Sequence, residues 1–239
     1  TITMRIFKIS DSASNKEGID YLAYTLKDVI SDVKGECKRF DDEYRSGIKI
    51  SVTRGYADYI RSEIEDKIAD VIAVGYKYDC FKKGIGGFGL SDFERELLYS
   101  ALIAADIDED KRYAVRKMRN FDEYAVDGIF EFRLTPLKRK WADVIGYIPT
   151  AFTSGQMMDF VRYLIGEKRG KKAIVENGKV YDGNYNLLQR TFLLPKSDEG
   201  KIVKEVILSA SGRIETDSII PEADKRYLRD FYGNRMYEK

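Results

Sequence analysis

Residues 121–168 read FDEYAVDGIFEFRLTPLKRKWADVIGYIPTAFTSGQMMDFVRYLIGEK, and they hold the chain's single Trp and its densest run of basic residues. Thr135-Pro136 sets a capping hydroxyl before a proline at the first helical position, where the missing N–H does no harm. Leu137, Trp141, Val144, Ile145 and Ile148 then fall on one face at helical spacing, with Lys138, Arg139, Lys140 and Asp143 off that stripe. Pro149 ends this helix. Thr153 or Ser154 caps a second one, whose apolar face is Met157, Phe160, Val161, Leu164 and Ile165. About five residues join the two, a connection suited to an antiparallel helix pair. The segment before them, GIFEFRL at 128–134, alternates like a strand. Read from Phe121 through Ala125, Ile129 and Phe132 it has a helix's period, and it predicts a helix that is apolar on most sides and therefore buried. A buried Arg133 needs a partner; Glu131 and Glu123 are the local choices.

Outward from this centre the pattern changes on both sides. Residues 4–9, MRIFKI, predict a first strand, and 11–15 a polar turn. Ile19, Leu22, Ala23, Leu26, Val29, Ile30 and Val33 predict an amphipathic helix ending near Gly35. Residues 36–46 are polar and charged and read as a loop; 48–53, IKISVT, read as a second strand. The segment has the size of a βαβ unit. A long helix follows over about 56–82, with Gly75 as its one weak point. The glycines at 84, 86, 87 and 89 follow a helix rather than a strand, so they read as a helix–helix linker and not as a dinucleotide fingerprint. Ser91 and Glu94 form a capping box for the next helix. Asp106, Asp108, Glu109 and Asp110 lack calcium-loop spacing and read as a solvated turn.

Beyond the central helices, Asn177-Gly178 between 173–176 and 179–181 predicts a hairpin with a type I′ turn. Asp182-Gly183 is a second turn, followed by a strand within 185–194. Residues 195–201 form a linker, 202–210 a helix stopped by Gly212, 213–219 a strand, and Pro221 starts a helix closed by Gly233. Residues 234–238 give a last short strand. The fold class is α/β, with α+β as the alternative. It divides into an N-terminal α/β module (1–55), a helical region (56–170) and a C-terminal α/β module (171–239). Modules this small bury poor cores alone, so their strands are expected to join one sheet as a single structural unit.

Composition excludes several chemistries. The 239 residues contain 41 Lys and Arg, 40 Asp and Glu, two Cys and no His. Without His there is no Ser-His-Asp or Cys-His catalysis and no imidazole metal site. Cys37 and Cys80 make no structural zinc site, and both are expected to be reduced and buried. No cofactor motif or metal-ligand set is present. No apolar run reaches membrane length, and the chain reads as cytoplasmic.

The DGIFEFRL segment, the amphipathic helix after it and FVRYLI together resemble the YtxC-like family of sporulation proteins, which carry a Gly-Phe-x-x-Phe-Arg-Leu-like segment there. Gly128, Phe132, Arg133 and Leu134 match it. The likeness continues as pattern in 206–209 and 231–236 and covers about residues 115–239. Here the lead-in of the second helix is Met158-Asp159. A histidine expected near the late strand and a cysteine-rich tail are absent, which argues against a shared metal or redox role. The resemblance implies a cytoplasmic protein of a sporulating bacterium and names no activity.

Three classes of function follow. The first is a non-enzymatic binding or regulatory protein acting through a protein partner in sporulation. The second is nucleic-acid binding. From residue 133 to 172 nine Lys or Arg stand against three Asp or Glu. Lys138, Arg139, Lys140, Arg162, Lys168, Arg169, Lys171 and Lys172 form the expected basic face, with Trp141, Tyr147 or Tyr163 available to stack. Set against this and favoured over it, Trp141 reads as core and the charges as solvated helix faces paired with acidic residues elsewhere; an acidic protein partner or anionic ligand is the remaining alternative. The third is a His-free, metal-dependent phosphoryl-transfer enzyme or nuclease on Asp/Glu ligands, which no carboxylate spacing supports. Oligomeric state is not readable.

Overall fold

The computed structural model describes residues 3–86, 89–119, 121–197, 199–217 and 219–238. In chain order its elements are β1 (Met4–Ser12), α1 (Lys16–Thr25), α2 (Lys27–Asp32), β2 (Glu36–Asp41), β3 (Arg45–Thr53), α3 (Ala57–Asp70), a π-helical turn (Val71–Tyr76) and α4 (Lys77–Gly84). Then come α5 (Asp92–Met118), β4 (Glu123–Ala125), α6 (Val126–Arg133), α7 (Thr135–Tyr147) and α8 (Ser154–Gly166). The chain finishes with β5 (Lys172–Glu176), β6 (Lys179–Asp182), α9 (Lys201–Leu208), β7 (Arg213–Thr216), α10 (Glu222–Tyr232) and β8 (Met236–Glu238). The α/β class and the helical middle are as expected. The strands, however, form two separate four-stranded sheets, ordered β2-β3-β1-β4 and β6-β5-β7-β8, instead of one common sheet.

The chain divides into two compact units: Thr1–Tyr76 with Glu109–Lys140, and Lys77–Asp108 with Trp141–Lys239. Residues 1–55 fall in the first and 171–239 in the second, and the helical middle is shared between them.

In the first unit β1 runs antiparallel to β3, β3 antiparallel to β2, and β4 parallel to β1. The segment from β1 to β3 is thus not a βαβ unit. Residues 36–41, expected to be loop, are the edge strand β2, exposed along almost its whole length. A strand wet on both faces shows no hydrophobic alternation, which is why its sequence reads as loop. The turn after it is built by Asp42, whose Oδ1 accepts from the N–H groups of Tyr44 (2.8 Å) and Arg45 (2.7 Å). Phe7, Ile9, Ile48, Ile50 and Val52 form one wall of the core. Ile19, Leu22, Ile60, Ile64 and Ile68 from α1 and α3 fill it; all are fully buried. The helix at 128–134 is present as α6, yet it is not buried on most sides. Only Val126 and Ile129 are sealed, and Phe132 is 84% exposed. Arg133 therefore needs no buried partner; its guanidinium lies 4.7 Å from the Phe121 ring.

In the second unit β5 and β6 make the expected hairpin, with Asn177 and Gly178 at φ 51° and 71°. β7 pairs in parallel with both β5 and β8, and β7, α10 and β8 make a βαβ unit, whereas the hairpin strand β6 intervenes between β5 and β7. The strand expected within 185–194 is a single bridge from Leu187 to Tyr181 and a 3-10 turn at Arg190–Leu193. Glu205 holds that turn, accepting from the N–H groups of Arg190 and Thr191 and from the Thr191 hydroxyl. The Thr153 capping box on α8 is formed with Gln156. α8 lies principally against α10, where Leu228 and Phe231 are buried, instead of pairing mainly with α7. The Ser91–Glu94 capping box is also formed. The preceding glycine segment joins two helices as expected; Gly87 lies outside the described residues. Neither cysteine is in a disulfide. Cys37 is exposed on β2 and Cys80 is half-buried, so the expectation of buried thiols fails.

Candidate functional site

The two faces of the first sheet are unlike. Alternation turns Phe7, Ile9 and Asp11 of β1 and Ile48, Ile50 and Val52 of β3 to the helix side. On the other side lie Met4, Ile6, Lys8 and Ser10 of β1, Gly47, Lys49, Ser51 and Thr53 of β3, and Glu36, Lys38 and Phe40 of β2. This side is open: Met4 and Ile6 are 49% and 46% exposed, and Lys8, Lys38 and Lys49 are exposed.

Register aligns those lysines. Lys38 stands opposite Lys49, and Lys49 opposite Lys8, with Glu123 of β4 next in the row. Neighbouring strands are about 4.8 Å apart, so the three stems root along a line of roughly 10 Å. Like charges directly opposed across strands weaken a sheet. Lys38 is relieved by Glu36 at 3.0 Å. Lys8 and Lys49 have no carboxylate at ion-pair distance among the described residues. Beside the row, the Phe40 ring reaches over Gly47: a Cβ there would stand 2.2 Å from the ring. Glycine is therefore what lets the ring lie against the sheet. The Lys8 ammonium is 5.5 Å from the ring centroid. Tyr44, in the turn after β2, is 73% exposed.

A polar cluster closes the β1 end of this sheet. Arg45 grips Asp127 through both terminal nitrogens, at 2.6 and 2.9 Å, and donates to Ser10 Oγ at 2.9 Å. On the buried side, the Asp11 carboxylate accepts from the Tyr76 hydroxyl (2.8 Å), the Asn15 amide (2.8 Å) and the Ser12 N–H (2.7 Å). Burial, helped by the nearby Asp127 charge, pushes its pKa up to about 6 against the pull of those donors. Tyr76 ends the π-helical turn, a distortion often found at working sites. Asp11 itself has no exposed surface.

The basic face expected from sequence is divided. Lys138, Arg139 and Lys140 belong to the first unit; Arg162, Lys168, Arg169, Lys171 and Lys172 belong to the second. Most of these charges are engaged internally. Lys138 holds Glu131 at 2.9 Å, and Lys140 holds Asp110 and Glu109 at 2.8 and 3.1 Å. Arg162 pairs with Asp159 and Asp230, Lys171 with Asp108, and Lys172 with Glu215. Lys168 and Arg169 donate to backbone carbonyls. Arg139 is exposed and has no ion-pair partner among the described residues. Trp141 is fully buried. The acidic run at 106–110 lies within α5, which kinks at Asp106, and is not a solvated turn; its carboxylates meet Lys77, Lys140 and Lys171. In the segment 128–134, Leu134 is buried, and the Gly128 N–H is held by Asp127 at 2.9 Å.

Local sequence carried half of the signal for the sheet face. MRIFKIS and IKISVT each put a lysine on the polar side of a strand; reading β2 as loop hid the third member of the row. Comparison of the chain with family models, with curated proteins and with solved structures gives no match.

Proposed function

We propose that this is a non-enzymatic binding protein whose partner is single-stranded nucleic acid, held on the open face of the first sheet. The observation that carries the reading is the aligned row Lys38, Lys49 and Lys8 beside the Phe40 ring. Single strands are bound by cationic surfaces that follow the backbone and by aromatic rings on which bases stack. Open four-stranded sheets with surface aromatics serve this purpose in RNA recognition. Lys8 and Lys49, opposed like charges with no carboxylate at ion-pair distance among the described residues, weaken the sheet that bears them, which supports a role for the row in meeting an anion. The cellular setting in this reading, a sporulating bacterium, is supported by the resemblance at Gly128, Phe132, Arg133 and Leu134.

The test is fluorescence anisotropy of labelled single-stranded RNA and DNA across a salt series. Binding should weaken with salt. In the Lys8→Glu/Lys38→Glu/Lys49→Glu protein the slope of log K against log salt should shrink by roughly 0.7 for each phosphate that is no longer neutralised. Phe40→Ala should weaken binding by about tenfold or more, the range measured for removing one stacked ring. Reversing Lys138, Arg139 and Lys140 to Glu should have the smaller effect, since Lys138 and Lys140 are occupied by carboxylates. Absence of binding at low salt, or an unchanged triple variant, overturns the reading.

A further inference from the structure

A cleft of about 460 Å³ lies in the second unit between α4 and the first turns of α5. That volume is in the range of small-molecule sites, roughly 300–1,000 Å³. Tyr78 and Lys82, one helical turn apart, line it from α4. Asp92, Arg95, Glu96 and Tyr99 line it from α5 at spacings of three, four and seven residues, one helix face. The two tyrosine rings meet edge to face, with centroids 5.5 Å apart at 81°.

Two features of this lining point to a ligand. Tyr78 is only 4% exposed, and its hydroxyl has no hydrogen-bond partner among the described residues. The hydroxyl oxygen is not itself sealed from solvent, so it opens on the cleft. The ring is buried and the hydroxyl, without a protein partner, is left to a group that enters the cleft, a ligand atom or water. The Tyr99 hydroxyl already reaches the Ile85 carbonyl, at 3.5 Å. The second feature is charge. Glu96 is neutralised by the buried Lys204 at 2.6 Å, and Asp92 pairs with Arg95. Lys82 has no partner among the described residues. The cleft thus offers a lysine without an ion-pair partner among the described residues, one open hydroxyl and an aromatic wall, with the Asp79 and Glu96 carboxylates also near the Tyr78 hydroxyl.

We infer that this cleft binds a small aromatic monoanion, an aromatic carboxylate, with its ring against Tyr78 and Tyr99 and its carboxylate between Lys82 and the Tyr78 hydroxyl. The site is independent of the nucleic-acid reading, because its residues and those of the sheet face belong to different units.

The test uses the full chain and titrates it with benzoate and 4-hydroxybenzoate, with benzamide as the uncharged control, by isothermal calorimetry and ligand-observed NMR. Saturable binding of the carboxylates and none of the amide is expected. Tyr78→Phe, which keeps the ring and removes only the oxygen, should weaken binding by about tenfold, one hydrogen bond to a charged group. Lys82→Gln should remove the preference for the anion over the amide. The Lys8→Glu/Lys38→Glu/Lys49→Glu protein should bind as the wild type does. Carboxylates that fail to saturate, or a Tyr78→Phe protein of unchanged melting temperature that binds equally well, overturn the inference and leave the hydroxyl met by water alone.

Discussion

Asp11 is the residue whose ionisation is most at odds with its place. It is sealed from solvent at the end of a core-facing strand, and its pKa of about 6 lies above the ordinary carboxylate value of 3.8. A carboxyl that binds its proton more tightly folded than unfolded lowers stability as pH rises through the interval between the two values. The effect is absent below about pH 4 and complete above about pH 6. Asp11→Asn keeps an oxygen for Tyr76 and Ser12 and needs only a flip of the Asn15 amide opposite its new NH2 group. Urea unfolding of both proteins from about pH 4 to about pH 7 should therefore show the variant gaining on the wild type by up to roughly 3 kcal/mol, two units of pKa at 1.36 kcal/mol each. A stability difference that does not change with pH would mean that Asp11 stays ionised at its ordinary value. Nothing in SDSASN marks Asp11 in advance. Its burial depends on Tyr76 and Asp127, far along the chain and themselves ordinary as letters.

At the scale of elements, amphipathic helices were the most legible part of the chain, because periodicity and caps are local. The Thr153 and Ser91 caps, the Asn-Gly hairpin and α10 stand where the residues put them. Departures occur where a distant partner decides. Within α5 the backbone leaves helical geometry at Asp106, with φ −140° and ψ 21°. The Lys168 ammonium donates to the Ala105 carbonyl at this break, and Asp106 pairs with Lys77, which has no exposed surface. Lys77 in turn lies 5.7 Å from the rings of both Phe81 and Trp141. A reading of DIDED as a turn could not anticipate lysines arriving from three other segments. The pair's energetics are testable. Asp106→Ala takes the carboxylate from a buried ammonium and should cost roughly 3 kcal/mol in chemical denaturation. In a Lys77→Met background, where no buried charge remains to be matched, the same change should cost much less. Additive losses in the double variant would show that the two side chains are uncoupled.

For the whole molecule, the decisive fact is that neither unit is a continuous piece of chain. The path passes from the first unit to the second after Tyr76, returns after Asp108, and passes again after Lys140. Each passage falls within a helical run, so no linker composition marks it, and a division of the sequence into consecutive blocks cannot reproduce it. Strand pairing was illegible for a related reason: hydrophobic alternation says that a strand has a buried face, not which sheet it enters. The interleaving has a consequence for dissection. Cutting after Lys140 leaves residues 77–108 without the remainder of their unit, and Phe81, Leu97, Leu98 and Ile103, all fully buried in the intact protein, lose their surroundings. A fragment of residues 1–140 should therefore bind a hydrophobic dye through those side chains. The complementary 141–239 fragment, lacking Phe81 and Leu97 from its core, should melt without a cooperative transition. Mixing the two should displace the dye and restore a cooperative melt, because the first fragment supplies the segment that the second lacks. Should the 141–239 fragment melt cooperatively by itself, residues 77–108 would be an addition to the second unit and not part of its core.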